Sequence, residues 1–333
     1  MTAFADTLAA MPPGVPPAPG AAFGHRLAPP GDPLEGASFD QLYAAKIEPE
    51  LVKREAERKG ALKTFGLALA AGLVLVFLEY KLFASSTNGG SHNPGPTLII
   101  FTIIVAAVVG YLPLGAVAKR AKVSVLEALC GPLGISYKAD GPDPSSFPTY
   151  RSLHLLPGFD DKSFQDFFAG RRSQVDFSLC EATLHEGSGK NRHLVFQGQL
   201  FRLTTPRRLV STTVVLRNSG WLNRFECPSG LKPVGLEDPN FNKAFAVFGG
   251  DQVEAREILT PTFMQRLNDL EAAYAGHHIR CAFTESDLLI ALEAPNRFEI
   301  GNMFSSLVER ARVETIARNL DEVFKLVDEF QDA

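Results

Sequence analysis

The chain has 333 residues and a formal net charge of −4, from 33 Lys and Arg against 37 Asp and Glu. This balance gives no reason to expect a nucleic-acid partner. The four cysteines, Cys130, Cys180, Cys227 and Cys281, are scattered without a Cys-x-x-Cys pair; that excludes the usual zinc spacings and a disulfide framework, and points to reduced thiols in a reducing compartment.

Residues 1–12 lack a positive n-region, and the apolar run from Thr7 to Met11 is too short for a secretory signal. Pro, Ala and Gly dominate the stretch that follows, so residues 1–37 are expected to form a disordered tail that buries too little surface to offset its ordering entropy. Residues 38–60 read as an amphipathic juxtamembrane helix: Ser38 is a candidate N-cap, and Phe39, Leu42, Tyr43, Ala44, Ile47 and Leu51 recur on one face. Pro49 is expected to kink it or to start a new helix. Its mixed charges favour packing on the protein's own domain over lying on a membrane surface.

Two apolar blocks follow. Thr97 to Ala118 contains no charged residue and as a helix spans about 33 Å, enough for a hydrocarbon core. The first block, residues 61–83, has its uncharged centre at Thr64 to Leu78. Lys63, Glu79 and Lys81 lie at its ends, where interfacial anchoring is favoured over an ion or proton relay. The expected organisation is transmembrane helix 1 at 61–83, a short external loop at 84–96 and transmembrane helix 2 at 97–118. Lys53, Arg54, Arg58, Lys59 and Lys63 precede the first span, Lys119, Arg120 and Lys122 follow the second, and residues 84–96 contain neither Lys nor Arg. The positive-inside rule then puts both termini in the cytoplasm and the loop outside. Ala68 with Gly72 and Ala106 with Gly110 allow close helix packing, within the hairpin or between copies of a homo-oligomer.

Residues 123–333 carry 22 Lys and Arg against 28 Asp and Glu, and read as a cytoplasmic α+β domain with a mainly antiparallel sheet. Short helices are expected at Val123–Ile135, ending near Gly131-Pro132, and at Ser163–Gly170. QVDFSLCEATLHE, the turn GSGKN and RHLVFQGQLFRL read as a long hairpin. RLVSTTVVLR, LKPVGL and FNKAFAVF are expected strands, with a turn at Asp238-Pro239. Helices are expected at Asp251–Leu259 and Pro261–Tyr274, the latter capped by Thr260 with Pro261 at its first position. Strands HHIRCAF and DLLIALEA joined by TESD follow, then a helix from Val313 to Phe330. Hairpins followed by helices argue for a membrane-anchored α+β fold: a two-helix transmembrane hairpin plus a cytoplasmic domain.

GLEDPNFNKAFAVFGGDQVEAREILTPTFMQRL, residues 235–267, resembles the bacterial domain-of-unknown-function family thirty-one thirty-seven. Glu237, Asp238, Pro239, Phe241, Phe245, the run Asp251 to Arg256 and Leu259-Thr260-Pro261 carry the resemblance, together with VFQGQLF (195–201) and the Ile47-x-Pro49 helix. It implies an inner-membrane protein with a juxtamembrane helix, two spans and a cytoplasmic domain, no established activity, and LemA-type membrane proteins as neighbours in an envelope complex.

No phosphate loop, G-x-S-x-G elbow or H-E-x-x-H pair occurs, and no cofactor is expected. The densest polar cluster is Glu237, Asp238, Asp251, Glu254, Arg256 and Glu257. These residues are weak catalytic candidates; helix capping and ion pairing are the favoured alternative, with Glu254 at the capping-box position. His185 and His193 flank a hairpin tip and are weak metal candidates with Glu186. His277 and His278 are adjacent on a strand and are expected to point to opposite faces. Lys190, Arg192, Arg202, Arg207 and Arg208 form a basic hairpin region, a weak lipid-headgroup candidate. The leading expectation is a non-enzymatic interaction module tethered to the bilayer, with other membrane proteins as partners. An enzyme using the acidic cluster and a headgroup-binding module are the alternatives.

Overall fold

The computed structural model describes residues 36–84, 95–172, 175–205, 207–218, 220, 227–274, 276–299 and 304–331. The expected tail, apart from its last two residues, and nearly all of the expected external loop lie outside the described residues.

Helix α1 (Gly36–Leu42) passes through a π turn at Tyr43–Ile47 into α2 (Glu48–Ala84). Ser38 lies inside α1 rather than ahead of its first residue. Pro49 lacks an N–H and crowds the carbonyl four residues back, and the wider π turn just before it lets the helix continue. Antiparallel to α2 runs α3 (Gly95–Cys130), which contains Pro113. The two helices are long and apolar enough to cross a membrane. The small residues meet within the hairpin: a Cβ on Gly72 would lie 2.6 Å from that of Ala106, and one on Gly110 2.9 Å from the Phe65 ring. Thr102 donates to Glu79 across the pair at 2.8 Å.

The expected helix at Val123–Ile135 is not separate. With no breaker after Ala118, α3 runs on until Gly131-Pro132, where a 3-10 turn and Gly134 at φ 68° end it. Leu114, Val117, Ala121, Val125, Leu126 and Leu129 of α3 are buried together with Phe39, Tyr43, Ile47 and Leu51 in the same core as the sheet. The juxtamembrane helix therefore packs on the protein's own domain. Arg310 pairs with Asp40 and stacks on the Phe39 and Tyr43 rings.

Among the described residues the sheet has nine strands, all antiparallel: β1 (Ser136–Lys138), β2 (Asp161–Arg172), β3 (Val175–Glu186), β4 (His193–Thr204), β5 (Thr213–Arg217), β6 (Lys232–Val234), β7 (Phe245–Gly249), β8 (His277–Phe283) and β9 (Asp287–Glu293), in the order β1-β2-β3-β4-β9-β8-β5-β7-β6. The intervening helices are α4 (Phe147–Ser152), α5 (Pro239–Ala244), α6 (Gln252–Ile258), α7 (Pro261–Ala273) and α8 (Arg310–Gln331). One sheet face carries Phe177, Leu179, Phe201, Leu203, Ile279 and Ile290 against α3, α7 and α8. The other carries Cys180, Leu184, Phe196 and Leu200 against Phe147 and Tyr150 of α4. Gly198 is required where β4 meets β9, since a Cβ there would lie 1.9 Å from the Leu292 carbonyl oxygen.

The β3–β4 hairpin, β8–β9 and α6 to α8 match expectation. Residues 163–170 do not form a helix; they are the middle of β2. A bulge between Gln165 and Phe168, with Asp166 at φ 55°, shifts the register. Phe164 and Phe167 then pack on one sheet face and Phe168 on the other. An inserted residue turns a period of two into an apparent helical spacing. FNKAFAVF is half helix: Asp238 caps α5, Pro239 opens it and the strand begins at Phe245. RLVSTTVVLR is strand only from Thr213.

Candidate functional site

The acidic residues singled out by sequence hold backbone. Asp238 Oδ1 accepts from the N–H groups of Asn240 and Phe241, and Asp251 Oδ1 from those of Val253 and Glu254. Glu254 does not close a capping box. Its carboxylate accepts from the N–H groups of Val210 and Ser211, both at 2.8 Å, and from Ser211 Oγ, while Asp251 N donates to that same hydroxyl. Burial opposes its charge, but these bonds outweigh it and hold the carboxyl below its ordinary range. Arg256 donates to the Gly235 carbonyl, Glu257 meets Arg207 at 3.7 Å, and Glu237 is exposed. Asp238 and Asp251 thus cap helices, whereas Glu254 ties the Val210–Ser211 loop instead of occupying a capping box.

The register pairs His193 with Glu186 and His185 with Leu194, so the two rings are not cross-strand partners. His185 meets Arg192, and His193 lies 3.4 Å from Glu186. His278 sits at φ 51° in a bulge, so alternation fails there as well. Lys190 and Arg192 lie at one end of β4, Arg207 and Arg208 beyond the other. Twelve strand residues separate them by about 40 Å, so they form no single patch. Arg192, Arg202 and Arg208 pair with Asp161, Asp287 and Glu285.

A different cluster is buried between α3 and the sheet. Asp166, Glu181 and Gln199 are 0–1% exposed. Lys122 of α3 reaches Asp166 Oδ2 at 2.7 Å and Glu299 at 2.8 Å, and Tyr137 of β1 donates to Asp166 Oδ1 at 2.7 Å. The Asp166 N–H donates to the Ala139 carbonyl. Glu181 accepts from the Arg297 N–H at 2.8 Å and lies 3.5 Å from the amide nitrogens of Gln165 and Gln199. Arg297 continues the network to Asn319 and Glu322 of α8. The amide oxygen of Gln199 is buried with no partner.

Burial raises the Asp166 carboxyl, although the Lys122 charge pulls against it. Burial also pushes Glu181 up to about 7; the Arg297 N–H opposes this and the nearby Asp166 adds to it. For Lys122, burial disfavours the ammonium, but Asp166 and Glu299 win and its pKa rises. One carboxylate oxygen from each of Asp166, Glu181 and Glu299 lies within 4.8 Å of the others, a donor set suited to a hard cation. The Lys122 ammonium already bridges two of the three. The cluster therefore ties α3 to the sheet through Lys122 and Asp166, beside the buried Glu181 carboxyl.

Sequence reasoning missed these residues although the strand phase marks them. Glu181 shares a face with Phe177 and Leu179, and Gln199 with Phe201. A charged residue in phase with a core stripe is the available signal.

A family model described as "Protein of unknown function (DUF3137)" matches residues 194–331. No curated protein matches the chain. Among solved structures, the chain is similar to the crystal structure of the mycobacterial trehalose monomycolate transport factor A, TtfA, at 12% identity and a TM-score of 0.34, with 64% of this chain and 94% of that chain covered. A likeness that distant carries no argument about function.

Proposed function

We propose that this chain is a membrane-tethered, non-enzymatic interaction module of a bacterial inner membrane, with its domain and both termini in the cytoplasm and other membrane proteins as its partners. The observation that supports this most is α3. One helix leaves the apolar hairpin and enters the domain's core without a break, and Lys122 pins it to Asp166. A module built in this way presents its surface at a fixed height and angle above the bilayer. LemA-type proteins and a second copy of this chain are the first partners to look for.

Crosslinking in native membranes tests the role. The expected result is one reproducible membrane-protein neighbour, captured equally by the native chain and by Glu254→Ala. Turnover of a substrate by the purified chain, lost in a folded Glu254→Ala variant, would overturn it in favour of an enzyme. Sidedness is tested at Val210→Cys, because Val210 is 91% exposed whereas Cys180 and Cys281 are buried. An impermeant thiol reagent is expected to label it only after spheroplasts are broken; labelling of intact spheroplasts would contradict the cytoplasmic assignment.

A further inference from the structure

A groove opens where the hairpin joins the domain. Arg54 of α2 and Ala116, Lys119, Arg120, Val123 and Ser124 of α3 line a cavity of about 590 Å³. Three of these residues are cations and none is a carboxylate. The groove straddles Ala118, the last residue of the uncharged run, the depth at which acyl chains would give way to headgroups.

The donors are only partly engaged. Arg54 pairs with Glu50 and Glu57 through its terminal nitrogens, but its Nε is buried with no partner. Arg120 reaches Glu57 only at 3.7 Å, and its Nε donates to the Ala116 carbonyl at 3.3 Å. Lys119 pairs with Asp140 on the exposed side of the groove. The Lys119 and Arg120 side chains are 54% and 58% exposed. Ala116 and Val123 give the same groove an apolar wall. Three cations beside an apolar wall, at the end of a membrane-length helix, match a phosphodiester with the first part of an acyl chain attached. Basic clefts between membrane helices are recurrent sites for anionic lipid headgroups.

We propose that this groove binds the headgroup of an anionic phospholipid. Lys119 and Arg120 take the phosphate with Arg54 behind them, and Ala116 and Val123 lie against the glycerol and the start of the acyl chain. The apolar wall and the position at the helix level favour a lipid over a free phosphate. The proposal rests on α2 and α3 spanning a bilayer.

The test uses the full chain purified in detergent, with retained lipid read by native mass spectrometry against an equimolar mixture of phosphatidylglycerol and phosphatidylcholine. Phosphatidylglycerol is expected to be retained selectively. Lys119→Gln with Arg120→Gln is expected to lower that selectivity about tenfold; both side chains are exposed, so the variant should fold, which its melting curve checks. Lys190→Gln with Arg192→Gln, on the distant hairpin tip, is expected to leave selectivity unchanged. Equal retention of the two lipids, unchanged selectivity in the groove variant, or displacement of the lipid by glycerol 3-phosphate at matched concentration would overturn the proposal. Recovery of the chain in the soluble fraction without detergent would overturn the bilayer reading as well.

Discussion

The two halves of the helical hairpin share one pair of helices and hold together by different means. In the outer half, Leu67, Leu73, Phe101 and Val109 face no protein. The helices touch there through Gly72, Ala106, Gly110 and Ala68, with Thr102 bonded to Glu79. In the proposed bilayer setting, lipid tails are as apolar as leucine, so backbone proximity and a hydrogen bond supply the association. In the inner half Leu114 to Leu129 and Phe39 to Leu51 are buried in a protein core. There the usual hydrophobic driving force operates, and charges are paired: Lys122 with Asp166, and Glu55 with Arg58, the Glu55 carboxylate also capping the Leu307 N–H. The Arg58 guanidinium holds the Glu55 carboxyl down at about 2, with burial opposing and the Leu307 N–H assisting. With the hairpin in a bilayer, as proposed, the same helix changes solvent partway along its length, and its polar residues mark where.

Lys122→Met should have the largest effect. It leaves Asp166 buried and charged with Tyr137 as its remaining close partner, at a cost of about 3–5 kcal/mol in denaturant unfolding. Adding Asp166→Asn should recover part of that loss; failure to recover any would show that the pair is not the lock. Leu126→Ala, in the inner half, should cost about 2–4 kcal/mol through transfer and cavity terms.

Glu181→Gln should act through pH. The folded carboxyl sits near 7 against about 4.3 in an unfolded chain. A raised acid binds its proton more tightly in the folded state. The native protein therefore loses stability as pH climbs from about 4 through 7. The variant should match it at pH 4 and exceed it by up to about 4 kcal/mol at pH 8. Equal stability at both values would remove Glu181 as a titrating group. Leu73→Ala, on the outer half, should change domain unfolding by less than about 0.5 kcal/mol; a core-sized loss would mean that this face packs on protein.

Much of this comparison was legible in the residues. The charge-free run from Thr97 to Ala118 marks a membrane-length helix, and the alternation from Val175 to Glu186 marks β3, because both follow single uninterrupted periods. Thr260-Pro261 marks the start of α7 by capping chemistry alone. Where the period breaks, reading failed. The bulge at Asp166 disguised β2 as a helix, and the join of the second span to the helix expected from Val123 was hidden because Lys119, Arg120 and Lys122 interrupt the apolar run although the helix does not stop. The candidate site sits at both failures. Asp166 occupies the bulge and Lys122 the join between the two expected helices, and only the folded sheet brings them to Glu181, fifteen residues from Asp166 along the chain. The capping roles of Asp238 and Asp251 were readable, whereas the reach of Glu254 to Ser211 depends on a loop contact that no local pattern encodes.

Amide hydrogen exchange on the full chain in lipid nanodiscs tests most directly whether α3 belongs to the bilayer and the domain at once. Residues 119–130 should be protected as strongly as β4 and β9. Exchange of that segment within seconds, while the sheet stays protected, would show a hinge between hairpin and domain and contradict the account.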